Sequence, residues 1–368
     1  MSDIVRAALA TVVDGGTLSL DEARAAMGAV MDGEATPSQL AALLVALRMR
    51  GETVDELAGF ASAMRDRVLP VSAPTDAIDV VGTGGDRSGT FNISTASALV
   101  VAAAGVPVAK HGNRAITSRS GSADVLDALG VRTDLDPRSA AEALARDGFA
   151  FLFAPGFHPA MRHAGPTRRE IGIRTAFNML GPLTNPAGAR RALLGVGDTA
   201  AAPKIAEVVR LLGTDRTLVV HGDGLDELPL DGSGVLYDVQ PGGIERRTVV
   251  AAKFGLVPAS TAELAGGTPG DNARMIEAVI DREPGPRRDV VLLNAGAAFV
   301  AAGRVRDIAA GIALAATTID EGLTAALLGR LRLAKRQADE RAEQANEQAK
   351  KARKANERAA PGSEGAPA

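Results

Sequence analysis

The sequence predicts an α/β protein in which a small N-terminal helical domain precedes a larger domain built on a mainly parallel sheet. Three observations carry this expectation. Residues 1–70 show only helix signals, short β-rich runs alternate with helical ones beyond Pro70, and several of those runs end in glycine-bearing turns. A chain of 368 residues can hold both units, and its 46% hydrophobic content is enough for a substantial core. Aromatics reach only 3% against 41 glycines, which points to small aliphatic packing and many tight loops.

In the first unit, Ser19-x-x-Glu22, Thr36-x-x-Gln39 and Thr53-x-x-Glu56 have the spacing of capping boxes, so three helix starts are marked. Pro37 falls at a first helical position, where its missing N–H costs nothing. Residues 39–49 are apolar almost all round and Gly51 stops them; such a helix must be buried in a core or against a second subunit.

The second unit spans residues 71–333. AIDVVGTGGD reads as a strand entering a glycine turn, TASALVVAAAG as a helix, VPVAKHG as a strand and SADVLDALG as a helix. The alternation continues through FAFLFAP, RRALLGVGD, PKIAEVVRLLG, RTLVVHG and RDVVLLNAG. Residues 159–190 interrupt it with a helical, basic stretch punctuated by Pro and Asn, which we expect beside the N-terminal helices. Residues 334–368 form a charged tail. From Ala334 to Ala360 it has no Leu, Ile, Val, Phe or Met, and alanines recur every three or four residues. That pattern fits a solvated, fraying helix, with a weak contact along the alanine stripe as the other reading. PGSEGAPA at the end has a disordered composition.

Bulk properties narrow the function. A net charge of −3 gives no sign of a nucleic-acid partner. The absence of cysteine excludes disulfides, thiolate-bound zinc and thiol catalysis, and suits a cytoplasmic protein. The segment MSDIVRAALATVVDGG lacks a signal peptide's basic start and apolar stretch, and no run of about 18 apolar residues predicts a membrane span.

The chemistry gathers in three loops. GTGGD (82–86) follows the first strand, and three glycines in four positions let backbone N–H groups approach an anion. It is neither a dinucleotide fingerprint, since Arg87 stands where a glycine is needed, nor a Walker loop, since no Gly-Lys-Ser/Thr follows. Thr90, Asn92, Ser94 and Thr95 then sit at a helix mouth, more polar groups than a cap requires. KHGNR (110–114) follows the next strand; Lys110 and Arg114 can neutralise phosphate, Gly112 permits close approach, and Asn113 and Ser122 can orient a ligand. His111 alone reads as a structural histidine. Asp226 and Glu227, with Asp223 nearby, suit a hard cation with oxygen ligands. Arg168 and Arg169 offer a partner for a substrate carboxylate or a plain basic patch.

These segments together resemble the anthranilate phosphoribosyltransferase family. The resemblance runs through GEATPSQLAALLVALRMRGET, GTGGD, FNIST, KHGNR, SGSADVLDALG, RREIGIRTAFNMLGPLTNPA, LDEL and LNAGAAF, in that order, and leaves only the tail uncovered. It implies a fold shared with the nucleoside phosphorylases, substrates in the cleft between the domains, and a homodimer joined through the helical domain. By position it implies that Gly82, Gly85, Asp86, Thr90, Asn92, Ile93, Ser94 and Thr95 contact phosphoribosyl pyrophosphate or its Mg2+. Lys110, His111, Gly112, Asn113, Arg114, Ser118 and Ser122 would hold the phosphates. Ser94, Asp226 and Glu227 correspond to magnesium positions, and Gly82, Asn113 and Arg168 to anthranilate contacts. No general acid or base is implied. Ile116 and Thr117 depart from the smaller or hydroxylic residues expected there, and the family assigns no role to the tail. Two other functions belong to this fold. A pyrimidine nucleoside phosphorylase would need no pyrophosphate-bound magnesium, and a non-catalytic nucleic-acid-binding relative would carry a basic surface and eroded loops. The complete loops and slightly negative charge favour the transferase.

Overall fold

A computed structural model describes residues 2–86, 88–115 and 119–359, with side chains described as far as residue 351. Ser118, with Ile116 and Thr117, lies outside the described residues, as do Arg87 and the last nine positions.

The chain opens with four helices, α1 (Asp3–Val13), α2 (Leu20–Met31), α3 (Pro37–Arg50) and α4 (Val54–Arg65). Ser19, Thr36 and Thr53 each close a reciprocal capping box with the residue three positions on, so the entries of α2, α3 and α4 are fixed locally. Leu40, Leu43, Leu44 and Leu47 of α3 are buried, whereas Met49 is 83% exposed. Glu56 is fully buried in α4: it accepts from the N–H of Leu18 (3.0 Å) and of Thr53 (2.8 Å) and pairs with Arg50.

The sheet is seven-stranded among the described residues: β1 (Ile78–Gly82), β2 (Val108–Gly112), β3 (Phe149–Phe153), β4 (Arg191–Gly195), β5 (Arg216–Gly222), β6 (Gly234–Gln240) and β7 (Gly243–Val249). The order β3-β2-β1-β4-β5-β6-β7 puts β1 between β2 and β4. The first five strands are parallel, and β6 and β7 complete the sheet as an antiparallel hairpin. Sequence reasoning overlooked that hairpin. Its turn is Pro241-Gly242, between the paired residues Gln240 and Gly243.

Between strands run α5 (Ile93–Ala103), α6 (Ser122–Ala128), α7 (Pro137–Asp147), α8 (Ala154–Phe157), α9 (Gly165–Ile171), α10 (Phe177–Leu180) and α11 (Ala201–Leu211). After the hairpin come α12 (Pro269–Ile280), α13 (Pro286–Ala301), α14 (Ile308–Asp320) and α15 (Leu323–Ala359). The run 288–296 therefore joins no strand; it lies inside α13, where every residue from Val290 to Ala301 is buried.

Alternation along each strand divides the core between the two faces of the sheet, with Ala109, Ala150 and Leu152 of β2 and β3 in a smaller third cluster against α7 and α8. Ile78, Val80, Leu193, Leu218 and Val220 face α5, α13 and α14. Val81, Leu194 and Val219 face α11, in one cluster with the apolar residues of α1–α4. Ala164, Ala176, Phe177, Leu180 and Leu183, from the stretch 159–190, belong to that second cluster, and the Arg65 Nε donates to the Leu183 carbonyl at 2.7 Å.

The first turns of α15 bury Leu327, Leu328 and Leu331; residues 339–351 are fully on the surface. Among the described residues no single helix is long and apolar enough to cross a membrane. α14 and α15 reach that length only as a pair bent by 60°, and Ala315, Ile319 and Leu327 are packed in the core.

Candidate active site

The site gathers at the carboxyl ends of β1, β2 and β5, where an open parallel sheet places its ligands. β1 runs into Gly82, and the turn that follows needs left-handed backbone at Gly84 (φ 65°) and Gly85 (φ 66°). Here glycine is required for a second reason. A Cβ on Gly82 would lie 2.2 Å from the Oδ2 of Asp226, so only a bare α-carbon lets the acidic loop after β5 press against the turn. The same Oδ2 accepts from the Gly84 N–H at 2.8 Å, and the Thr83 N–H donates to the Gly195 carbonyl at 2.9 Å.

Asp226 brings Glu227 with it, and Asp86 closes the group. One oxygen from each of the three carboxylates lies within 4.8 Å of the others. The Glu227 Oε2 is cut off from solvent with no hydrogen-bond partner among the described residues. Loss of water, then repulsion by neighbouring carboxylates, raises the pKa of Asp226 and drives that of Glu227 well above the usual range. Three converging oxygen donors, one of them buried without a partner among the described residues, could hold a hard divalent cation, whose charge would offset that repulsion.

Lys110 lies beneath this group rather than on the loop surface. Its ammonium is buried and donates to the Val80 carbonyl and, at 3.5 Å, to the Ser94 hydroxyl; desolvation lowers its pKa while Asp79, Glu227 and Asp226 act to raise it. Asp79, which sequence reasoning missed, is also buried. Desolvation lifts its pKa to about 6, and it accepts from the His111 N–H (3.2 Å) and from the Asn185 amide (2.6 Å). Asn185 also donates to the Ala109 carbonyl at 2.8 Å, which ties the LTNPA segment to β1 and β2.

At the mouth of α5, Thr90 forms an isolated bridge with Ala265, and its hydroxyl lies 3.2 Å from that of Ser88. Ile93 is a core side chain, so only its backbone can face a ligand. Thr95 is fully buried and its hydroxyl has no partner among the described residues. Asn92, though it precedes the helix, makes no side-chain cap.

The second loop is folded back onto α6. Asp124 accepts from the Ala115 N–H (2.8 Å) and the Gly121 N–H (3.0 Å), and the Arg114 guanidinium pairs with Asp124 (2.9 Å) and Asp127 (2.6 Å). The charge of Arg114 is thus committed within the protein. Ser122 donates to the Asn113 carbonyl at 3.3 Å, packed so closely that a Cβ on Gly112 would meet its oxygen at 2.3 Å. The Asn113 side chain is exposed and accepts from the Arg114 N–H at 2.8 Å. His111 is buried, with its Nδ1 3.1 Å from the Gly181 carbonyl and its ring 5.1 Å from that of His158. Burial first, then His158, lowers its pKa to about 3, and burial lowers that of His158 to about 4. Both rings are neutral, which fits positioning rather than proton transfer.

Arg168 is half-buried, with its guanidinium 4.7 Å over the Phe177 ring; burial lowers its pKa, and no carboxylate pairs with it among the described residues. Its contacts run to Phe177 and not to the glycine turn. Arg174, a few residues on, reaches that turn instead and donates to the carbonyls of Gly85 (2.5 Å) and Gly84 (3.2 Å). No sequence signal separated Arg174 from its neighbours in the IGIRT motif.

Comparison with known proteins gives a consistent picture. Residues 74–325 match the "Glycosyl transferase family, a/b domain" and residues 6–68 the "Glycosyl transferase family, helical bundle domain". An anthranilate phosphoribosyltransferase of Rhodopseudomonas palustris is 51% identical over 321 residues, 87% of this chain and 95% of that one. One of Thermomicrobium roseum is also 51% identical, over 90% of this chain and 97% of that one. Among solved structures, the Thermus thermophilus anthranilate phosphoribosyltransferase superposes with a TM-score of 0.85 at 45% identity, covering 89% of this chain and 99% of that one. The Saccharomyces cerevisiae enzyme in complex with phosphoribosyl pyrophosphate and Mg superposes with a TM-score of 0.83 at 25% identity, covering 91% and 98%.

Proposed function

The chain belongs to the anthranilate phosphoribosyltransferase family, transferring the phosphoribosyl group of phosphoribosyl pyrophosphate to anthranilate in tryptophan biosynthesis, and we propose that it does so on a Mg2+-bound donor gripped by the glycine turn, the mouth of α5 and the acidic pair. The observation that carries this reading is the convergence of Asp86, Asp226 and Glu227 beneath the glycine turn, with one carboxylate oxygen left unpartnered. Asp226 and Glu227 would hold the ion together with the Ser94 hydroxyl, with Asp86 as the third carboxylate of the group. When bound, the ion supplies positive charge against the departing diphosphate.

The rest of the work falls to the chain. The amine of anthranilate is neutral near pH 7 and carries its own lone pair, so it attacks C1 of the ribose without a strong base. The C1–O bond to the diphosphate breaks, charge builds on the leaving oxygen, and the configuration at C1 inverts. The backbone N–H groups of Gly85, Asp86 and Ser94, which have no partner among the described residues, would face that charge and need no reorganisation as it develops. Gly112 and Asn113, with Ser122, would fix the phosphates, and the buried Lys110 would add its charge from below through Ser94. Arg168, stacked on Phe177 and without a carboxylate partner among the described residues, would take the anthranilate carboxylate, while Gly82 and Asn113 would meet the same substrate from the two loops. Catalysis is then positioning and electrostatics.

Purified protein incubated with anthranilate, phosphoribosyl pyrophosphate and Mg2+ should consume anthranilate fluorescence, and chelation should stop it; phosphorolysis of a pyrimidine nucleoside should be absent. Replacing Asp226 and Glu227 together by Ala should lower kcat by about 100-fold or more and weaken the magnesium dependence. An unchanged magnesium profile would remove both from the site. Arg168→Ala should raise KM for anthranilate by at least about tenfold, with far less effect on the donor; equal effects would contradict its role.

A homodimer through the helical domain completes the proposal. Ile4 and Val13 of α1 and Met49 of α3 are exposed apolar side chains that a second copy would cover, which supports an interface there. Light scattering at working concentration reads the assembly directly.

A further inference from the structure

Asn92 stands where a helix cap belongs and yet does not cap. Its Oδ1 accepts from the Asn272 amide at 2.8 Å and from the Ser120 hydroxyl at 3.2 Å, and its Nδ2 donates to the Ser120 carbonyl at 3.2 Å. Asn272 is only 2% exposed, and its own Oδ1 accepts from the Gly267 N–H at 2.7 Å. The segment that carries it backs the first phosphate loop along its length. The Phe91 N–H donates to the Leu264 carbonyl (3.0 Å), the Gly266 N–H donates to the Gly89 carbonyl (2.8 Å), and Thr90 bridges Ala265.

Asparagine is among the best N-caps, so an unrestrained Asn92 would turn its carbonyl oxygen onto a first-turn N–H of α5. Asn272 prevents this. An amide NH2 can only donate, so the Asn272 Nδ2 both occupies the Asn92 oxygen and fixes which way round the carboxamide sits. The Asn92 nitrogen is thereby directed to the Ser120 carbonyl, and the turn at 119–121 is joined to the one at 88–92. In the first turn of α5 the Ile93 N–H donates to the Phe91 carbonyl (2.7 Å) and the Thr95 N–H to the Asn92 carbonyl (3.1 Å), which leaves the Ser94 N–H, uncapped by any side chain among the described residues, for an anion.

We propose that Asn272 is a positioning residue for the phosphoribosyl donor: it holds Asn92 against Ser120, keeps the amino end of α5 open to phosphate, and couples the two phosphate loops. This rests on the reading above that the donor binds at those loops. Asn272 touches no substrate and acts through Asn92.

The test is Asn272→Asp in the full-length enzyme. A carboxylate keeps the size and the acceptor for Gly267 but cannot donate to the Asn92 oxygen. KM for phosphoribosyl pyrophosphate should rise about tenfold or more, while KM for anthranilate stays within about twofold and the melting temperature within a few degrees. In an Asn92→Ala background the same substitution should add nothing, because its effect runs through Asn92. If the Asp variant does not fold, Asn272→Ser, whose donor is too short to reach Asn92, should give the same split. An unchanged donor KM, equal rises in both KM values, or a full additional effect in the Asn92→Ala background overturns the inference. A wild-type protein that consumes no anthranilate overturns instead the function on which it rests.

Discussion

His111 and His158 show what burial does to a titratable side chain at this site. Both imidazoles have folded-state pKa values, about 3 and about 4, below the ordinary 6.5. The unfolded chain therefore binds protons from pH 6.5 downward while the folded one refuses them. Their contribution to stability is whole above pH 6.5 and is lost as the pH falls toward those values. Asp79 acts in the opposite sense: with its pKa raised to about 6 from 3.8, it takes up its proton first in the folded protein and adds stability as the pH drops through that window. His111→Gln isolates one contribution. Between pH 6.5 and 5 its stability should fall less steeply than the wild type's, by roughly 1 kcal/mol per pH unit, in urea unfolding at several pH values. Parallel curves would mean that His111 titrates as an ordinary exposed imidazole.

Helix starts were legible because each is written within four residues. The boxes at Ser19, Thr36 and Thr53 need only a hydroxyl and a Glu or Gln three positions on, and all three form. The last of them also shows where local signals stop. Glu56 closes the Thr53 box, but from the same buried carboxylate it also holds the Leu18 N–H and Arg50. Thr53→Ala should cost about 1 kcal/mol, the ordinary worth of a cap. Glu56→Ala should cost about 3 kcal/mol, because it strands a partly buried guanidinium and a buried N–H; equal costs in thermal unfolding would reduce Glu56 to a capping residue. Strands were less legible. GVLYDVQ carries Asp238 among its apolar residues and GIERRTV is polar from Glu245 to Thr248, so neither has the apolar density of β1 or β5. RDVVLLNAG was legible only as a member of the alternation, since a short apolar run reads alike as a buried strand or a buried helix, and it is part of α13. Within the site, motifs announced themselves wherever glycine and charge fall together. Asn272 did not, because an isolated asparagine gains meaning only from Asn92, 180 residues away.

At the scale of the whole molecule, α15 divides into two parts with different dependence on the fold. Leu327, Leu328 and Leu331 belong to the main core, and the Arg332 Nε donates to the Leu129 carbonyl at 2.7 Å. Residues 339–351 stand in solvent. A chain ending at residue 341 should keep its activity and lose less than about 0.5 kcal/mol of stability, whereas one ending at residue 322 should lose several kcal/mol and become prone to aggregation. A large loss from the shorter cut, measured by calorimetry, would show that the polar extension packs on something.

The strand order has a bearing on synthesis as well. β1 is the first strand made, yet its neighbours are β2 and β4, and the Asp226 oxygen that steadies the turn at Gly84 lies 142 residues further along the chain. A ribosome can release the four-helix unit early, while the glycine turn waits for its carboxylate until most of the polypeptide has emerged. Catalytic competence during refolding should accordingly lag behind helical signal, with turnover appearing only once the far half of the sheet has zipped onto the near half.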